Sequence, residues 1–353
     1  AGATVNLSGV NKDIVFEGGT LNNLAAFTGN LKVRGTLDVS AGYNANTEIE
    51  VGAGGTLNFG SLQSSRTVKY TGGAIQGAGF TGTVDVEGSV SLSSAIGAGN
   101  VRLGNGASAT IQAGFDRDLR LESGATLSGL NNYSGELTVA ADTFSTTGIT
   151  TAATLAVESG STLKGSGTIG GLTQVAGSIL APGNSPGMLT VTGTHALAGG
   201  ASMEVEFLNP AGAAGVGYDA VTAGTLDLSG LSTANRYILN LVSLVSVSPD
   251  AQGALAGFDA SATYLFDLLD YATLTLPQSY AGSISDLFVI NVASFTPQVG
   301  LVSSGSFQVV NNVTTGMLQL EYSPIPEPST YGLLLGGLAL AASALRRRRK
   351  QSA

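Results

Sequence analysis

Five residues, Gly183-Asn184-Ser185-Pro186-Gly187, fit the pattern G-x-S-x-G, which presents a serine nucleophile at a sharp strand-to-helix turn. Such a serine needs a helix after it, then a carboxylate and a histidine later in the chain. Gly187 leads instead into MLTVTG, an alternating run that reads as strand. The single histidine, His195, precedes the nearest later carboxylates, Glu204 and Glu206, so the required order fails. Pro182 and Pro186 on either side of Gly183-Asn184 read as a double turn. Ser185 is therefore expected to be a turn residue. His195 is expected to be a strand histidine, with no second histidine to share a metal.

Acid pairs are the next candidates. Asp116 and Asp118 in FDRDLR, and Asp267 and Asp270, could each supply a general acid and base. Alternation in a strand would put Asp116 and Asp118 on one face and Arg117 on the other, which reads as solvated, charge-paired residues. Two G-x-G-x-x-G matches, at Gly77-Gly79-Gly82 and Gly165-Gly167-Gly170, each continue into strand-like sequence instead of opening a helix. They carry no nucleotide-binding signature. No EF-hand or nona-repeat calcium motif is present. The sequence thus predicts no catalytic residue, no metal and no cofactor.

The elements that would hold these residues are short. Of 353 residues, 51 are Gly, about twice the usual share, while charged residues make up 11% where about 25% is ordinary. That composition suits many short strands joined by tight turns. Cysteine is absent, so disulfides and thiolate sites are excluded. One theme recurs: GTLNNL from Gly19, GTLDVS from Gly35, GTLNFG from Gly55, GTVDVEG from Gly82, STLKGSG from Ser161 and GTLDLSG from Gly224. SGVNKDIVF from Ser8 and SGATLSGL from Ser123 are related. The steps between Gly19, Gly35, Gly55 and Gly82 are irregular and centre on about 20 residues. That self-similarity predicts an all-β parallel solenoid, or β-helix, over 1–230. With a coil of about 22 residues this gives about ten coils and a rod of about 50 Å. All nine prolines lie at or beyond Pro182, as expected for a hydrogen-bonded stack upstream of it.

After Gly230 the runs lengthen and become more aromatic: RYILNLVSLVSV, ATYLFDLL, LFVINVASF, GSFQVV and GMLQLEY. They predict an antiparallel cap or small sandwich over 231–323, closing the open end of the solenoid. YLFDLLDY also fits a short helix. Not one Lys or Arg lies between Tyr237 and Tyr322. Without the five basic residues at 346–350, the body carries 10 Lys and Arg against 24 Asp and Glu, which argues against nucleic acid as a partner. The chain opens at Ala1 in strand-like sequence, with no leader pattern of charged then apolar residues.

The C-terminus, PIPEPSTYGLLLGGLALAASALRRRRK, has three parts. Pro324, Pro326 and Pro328 predict an extended spacer. Tyr331 to Leu345 is an uncharged apolar run that includes Leu333, Leu334, Leu335, Leu338 and Leu340. As a helix it would span about 22 Å, short of the roughly 30 Å hydrocarbon core, which suits a temporary anchor. Arg346, Arg347, Arg348, Arg349 and Lys350 would stay on the cytoplasmic side. This order closely resembles the PEP-CTERM sorting signal of Gram-negative and related bacteria, with Pro326-Glu327-Pro328 as the motif. The resemblance implies export by the Sec route and an inner-membrane intermediate. An exosortase, a membrane cysteine peptidase-transpeptidase, would then process the chain, leaving it at the cell surface or in the extracellular matrix. Such proteins are associated with exopolysaccharide, biofilm and floc formation.

Gly165 to Gly193, GSGTIGGLTQVAGSILAPGNSPGMLTVTG, resembles the β-strand repeat of autotransporter passenger domains. The match runs through Ala181, Pro182, Gly183, Asn184, Ser185, Gly187, Leu189, Val191 and Gly193. It implies right-handed parallel coils. No translocating β-barrel follows Gly230, so self-secretion is not implied. The expected function is that of a non-enzymatic structural or adhesive protein of the surface or matrix. The alternatives are a β-helix polysaccharide lyase or hydrolase and a carbohydrate-binding adhesin.

Overall fold

The computed structural model describes residues 4–324 apart from 23, 40, 41, 43–47, 61–63, 98, 248–249 and 297–304. Its dominant feature is one long ladder of strands, each contributed by a successive turn of the chain. The ladder starts at Ile14–Phe16, Asn30–Val33 and Glu48–Val51 and continues in parallel, thirteen strands in all, to Tyr264–Thr275. At about 4.8 Å per rung, thirteen strands span about 58 Å.

The first nine steps have near-constant length. Register partners run from Ile14 to Leu31 to Ile49, and from Val51 to Tyr70 to Val86 to Leu103 to Leu121. Every one of these steps is shorter than the expected coil of about 22 residues, so the expected ten coils are too few. The reason is that each coil carries two strands. A second series, broken into separate sheets, stacks behind the long ladder: Thr4–Asn6 with Thr20–Asn22, Thr36–Asp38 with Thr56–Asn58 and Ala74–Gln76, and Ser89–Leu92 with Ser108–Ile111. Most Gly-Thr-aliphatic repeats are this second series, but Thr83–Val86 and the repeat within Ala220–Asp227 belong to the long ladder. The long step from Gly55 to Gly82 therefore runs from one sheet to the other.

Alternation decides which side chains point inward. In the long ladder an interior column runs Phe16, Val33, Val51, Tyr70, Val86, Leu103, Leu121, Val139 and Val157, every member buried. Each such side chain contributes roughly 1.5–3 kcal/mol by leaving water. No single strand of three or four residues buries enough to stand alone, so the column is what makes the coils cohere. The next member is polar, Gln174, opposite Val157.

From there the coils grow. Leu172 pairs with His195, His195 with Leu226 and Leu226 with Leu274, each step longer than the one before. Parallel stacking does not stop at Gly230. Tyr237–Val247 lies parallel to Ser202–Phe207 and to Phe288–Ser294, and Tyr264–Thr275 lies parallel to Ala220–Asp227. Antiparallel pairing enters with Asp250–Gln252 against Tyr237–Val247. It returns with Met317–Pro324, which lies between Tyr264–Thr275 and Gly305–Asn312. YLFDLLDY is strand throughout: a register shift between Asp267 and Leu269 lets Leu268 and Leu269 both turn inward. An aromatic cluster of Phe207, Tyr218, Phe258, Phe266, Phe307 and Tyr322 fills this end of the core.

Candidate functional site

The residues around Ser185 form a polar cluster in the later coils. The turn after Ile179–Pro182 is tight: a Cβ on Gly183 would lie 2.3 Å from the Gly187 backbone nitrogen, and Gly183 has φ +91°. Ser185 itself has φ 60°, a left-handed conformation uncommon for a residue with a side chain. Its hydroxyl donates to Glu206 Oε2 at 2.6 Å. Beneath it, buried Asp219 accepts from the Gly187 N–H at 2.7 Å through Oδ1 and from the Glu206 N–H at 2.9 Å through Oδ2.

Burial pushes the Asp219 carboxyl up to about 8, against the lowering effect of its two backbone donors and with a further rise from neighbouring Glu206 and Glu204. Burial also raises Glu206, partly offset by the Ser185 hydrogen bond. The arrangement staples a strained turn to the next coil. The partner of Ser185 is thus a carboxylate and not the histidine that the G-x-S-x-G pattern calls for. Glu206 and Asp219 stand well beyond Ser185 in the chain, across coils of irregular length, and no spacing rule in the sequence brings the three together.

His195 sits elsewhere, inside the solenoid. Its Nε2 lies 3.3 Å from Gln174 Oε1, which also accepts from the Tyr237 hydroxyl at 2.7 Å. Gln174 Nε2 donates to the Ser202 carbonyl at 3.2 Å. Since Gln174 Oε1 can only accept, His195 carries its proton on Nε2, and Nδ1 is a buried acceptor without a partner. Burial pushes the imidazole down to about 3, so the ring is neutral.

The two expected acid pairs lie before Leu119–Glu122 and on Tyr264–Thr275. Asp116 and Asp118 lie in the loop before Leu119–Glu122 and not on the strand face where alternation would place them, because the strand begins only at Leu119. Arg117 Nε donates to Asp116 at 2.9 Å. Asp267 accepts from Gln319 at 2.6 Å, and Asp270 lies across from Met317 and Thr222. Neither glycine motif opens a helix: Gly77-Gly79-Gly82 forms a corner between strands, and Gly165 ends one. Among the described residues, no group of three or more His, Asp or Glu is placed to hold a metal ion.

Charge is organised on the outer face of the long ladder. Lys32, Glu50, Lys69, Asp85, Arg102 and Arg120 follow one another in register. Lys32 meets Glu50 at 2.6 Å, Lys69 meets Glu48 and Glu87, and Arg102 holds Asp85 through two bonds of 2.9 and 3.1 Å. Arg120 follows Arg102 directly, and both its carboxylate partners lie outside the column: Glu122, and Glu158 two coils on. Burial alone would raise Glu50, yet the Lys32 hydrogen bond holds it below its ordinary value.

The described residues end at Pro324, the last residue of the final strand and opposite Gly305. The expected spacer thus begins inside the sheet. Two residues earlier Tyr322 is buried, donates to the Ala260 carbonyl at 3.0 Å, and packs 5.0 Å from both Phe258 and Phe307. Pro326, Glu327 and Pro328, the apolar run from Tyr331 to Leu345 and the basic residues 346–350 lie outside the described residues. Among the described residues no helix is long and apolar enough to cross a membrane.

No curated protein matches the chain. Residues 324–350 match the PEP-CTERM protein-sorting motif, and that motif marks an exported protein sorted by exosortase to the cell envelope or surface.

Proposed function

We propose that the chain is a non-enzymatic structural or adhesive rod of the cell surface or extracellular matrix. It would pass through an inner-membrane intermediate and be associated with exopolysaccharide or biofilm. The observation that carries this reading is the join itself: a sorting motif at 324–350 follows directly on the closing strand of a stacked β-solenoid. The solenoid supplies reach at about 4.8 Å per coil, and the tail supplies an address. The autotransporter-like repeat at Gly165–Gly193 belongs to the same reading as a passenger-type rod.

The charge pattern supports a spacer role. Six ladder positions carry charge, and each side chain has a partner, so the face is hydrated without strong net attraction for a charged ligand. Among the described residues every Phe and Tyr is buried or half-buried, which favours a structural role over sugar stacking on an aromatic platform. Fractionation of the native host with mass spectrometry of the mature C-terminus tests the reading. A chain cut near Pro326 and recovered from the surface is expected. A full-length chain resident in the inner membrane, or turnover of a polysaccharide by the purified rod, would refute it.

A further inference from the structure

Pro326-Glu327-Pro328 begins four positions after Tyr322, the last fully buried residue among those described. An extended chain covers at most about 3.6 Å per residue, so Pro326 lies within about 14 Å of Tyr322. Tyr322 is bracketed on both edges, opposite Tyr264 on one neighbouring strand and Phe307 on the other. Ser323 and Pro324 have a partner on one side only among the described residues, Ser306 and Gly305. The strand can therefore fray up to Tyr322, where the phenol bonded to Ala260 and the rings of Phe258 and Phe307 stop it.

An enzyme that reads an extended peptide needs several residues of free backbone beside the reacting bond, because it satisfies the same N–H and C=O groups that a sheet would. A strand already paired within a folded sheet cannot offer them. We propose that Tyr322 is a positioning residue for sorting: it anchors the end of the final strand in the sheet a few residues before the motif, and that end must leave the sheet before the peptidase acts near Pro326. This rests on the sorting reading above. Freeing a large buried aromatic side chain shifts an equilibrium on the order of a hundredfold or more, enough to set the rate of processing. The closing strand thus slows release for as long as it stays paired.

The test uses the full chain in its native host, pulse-labelled and followed by its change in mass and by mass spectrometry of its C-terminus. A flexible Gly/Ser spacer of about eight residues between Pro324 and Ile325 leaves every described residue in place and gives about 28 Å more reach. Processing is expected to quicken by roughly tenfold or more. Tyr322→Ala is expected to quicken it too, with no further gain when the spacer is added. Tyr322→Phe keeps the ring and is expected to stay near the original rate. An unchanged or slower rate in the spacer chain overturns the proposal, whatever the Tyr322 variants do. Glu327→Ala in the spacer chain separates the two ideas: loss of processing keeps the sorting reading whether or not the clamp exists, and normal processing removes that reading itself.

Discussion

The hydroxyl of Tyr237 donates to Oε1 of Gln174 at 2.7 Å inside the solenoid, where the nine preceding members of the same column are aliphatic or aromatic. The pair spans the interior between the long ladder and the second series. It lies where the coil lengthens, since Leu172 to His195 is a longer step than Leu155 to Leu172. A directional bond at that rung fixes the register of the two sheets where apolar packing alone would tolerate a slip.

Gln174→Leu is expected to destabilise the rod by about 2–4 kcal/mol although it restores the apolar column, because the Tyr237 hydroxyl and the His195 Nε2–H both lose their acceptor. Tyr237→Phe added to Gln174→Leu should recover part of the loss. Urea midpoints of the two single variants and the double give the coupling, and strictly additive values would show that the network has no cooperative role.

Asp219 makes stability depend on pH in an unusual direction. Its folded value of about 8 lies above the ordinary 3.8, so between roughly pH 4 and 8 the folded chain keeps a proton that the unfolded chain has released. Stability is then fullest below that window and falls as pH rises through it, and the raised Glu206 adds in the same sense. Urea midpoints should drop from pH 5 to pH 9. Asp219→Asn should flatten the slope. It should also lower the midpoint at pH 5, since an amide nitrogen cannot accept from Gly187 or Glu206. A midpoint that holds steady or climbs toward pH 9 in the unaltered chain contradicts this account.

Arg120 makes the longest reach on the ladder face, to Glu158 two coils away, but both side chains are about two-fifths exposed. Arg120→Ala is therefore expected to cost less than about 1 kcal/mol, and the difference should shrink in high salt. A large loss unaffected by salt would mean that the arginine stem packs the sheet.

Local pattern in the sequence located the strands and their parallel stacking but misjudged the length of a coil. Every quoted Gly-Thr or Ser-Thr unit contains a strand, among them Thr20–Asn22, Thr36–Asp38, Thr56–Asn58 and Thr162–Gly165, because alternation and a flanking glycine are short-range signals. Coil length was obscured because NLKV, EIEV and TVKY, the alternate strands of the same coils, lack that opening. The longer strands after Gly230 look alike whether they run parallel or antiparallel, since direction is set by the connections and not by the residues facing the core. The Ser185, Glu206 and Asp219 cluster was invisible for a related reason: it depends on loops of irregular length between coils. The sorting motif was legible, because proline spacing, an apolar run and a basic block are all contiguous.

That tail yields the most direct prediction. Glu327→Ala alters the motif without touching the apolar run, and removal of Arg346 to Lys350 takes away the block that keeps the C-terminus cytoplasmic while leaving the motif whole. Both chains should accumulate unprocessed in the inner membrane, the first because the peptidase no longer reads it, the second because the apolar run is no longer held at its boundary. Replacing Arg346 to Arg349 with lysines separates charge from guanidinium chemistry: a positive-inside stop needs only the charge, so processing should be kept. Surface release of the Glu327→Ala chain at the unaltered rate would rule out the sorting role of 324–350. Failure of the lysine chain would mean that arginine itself is recognised.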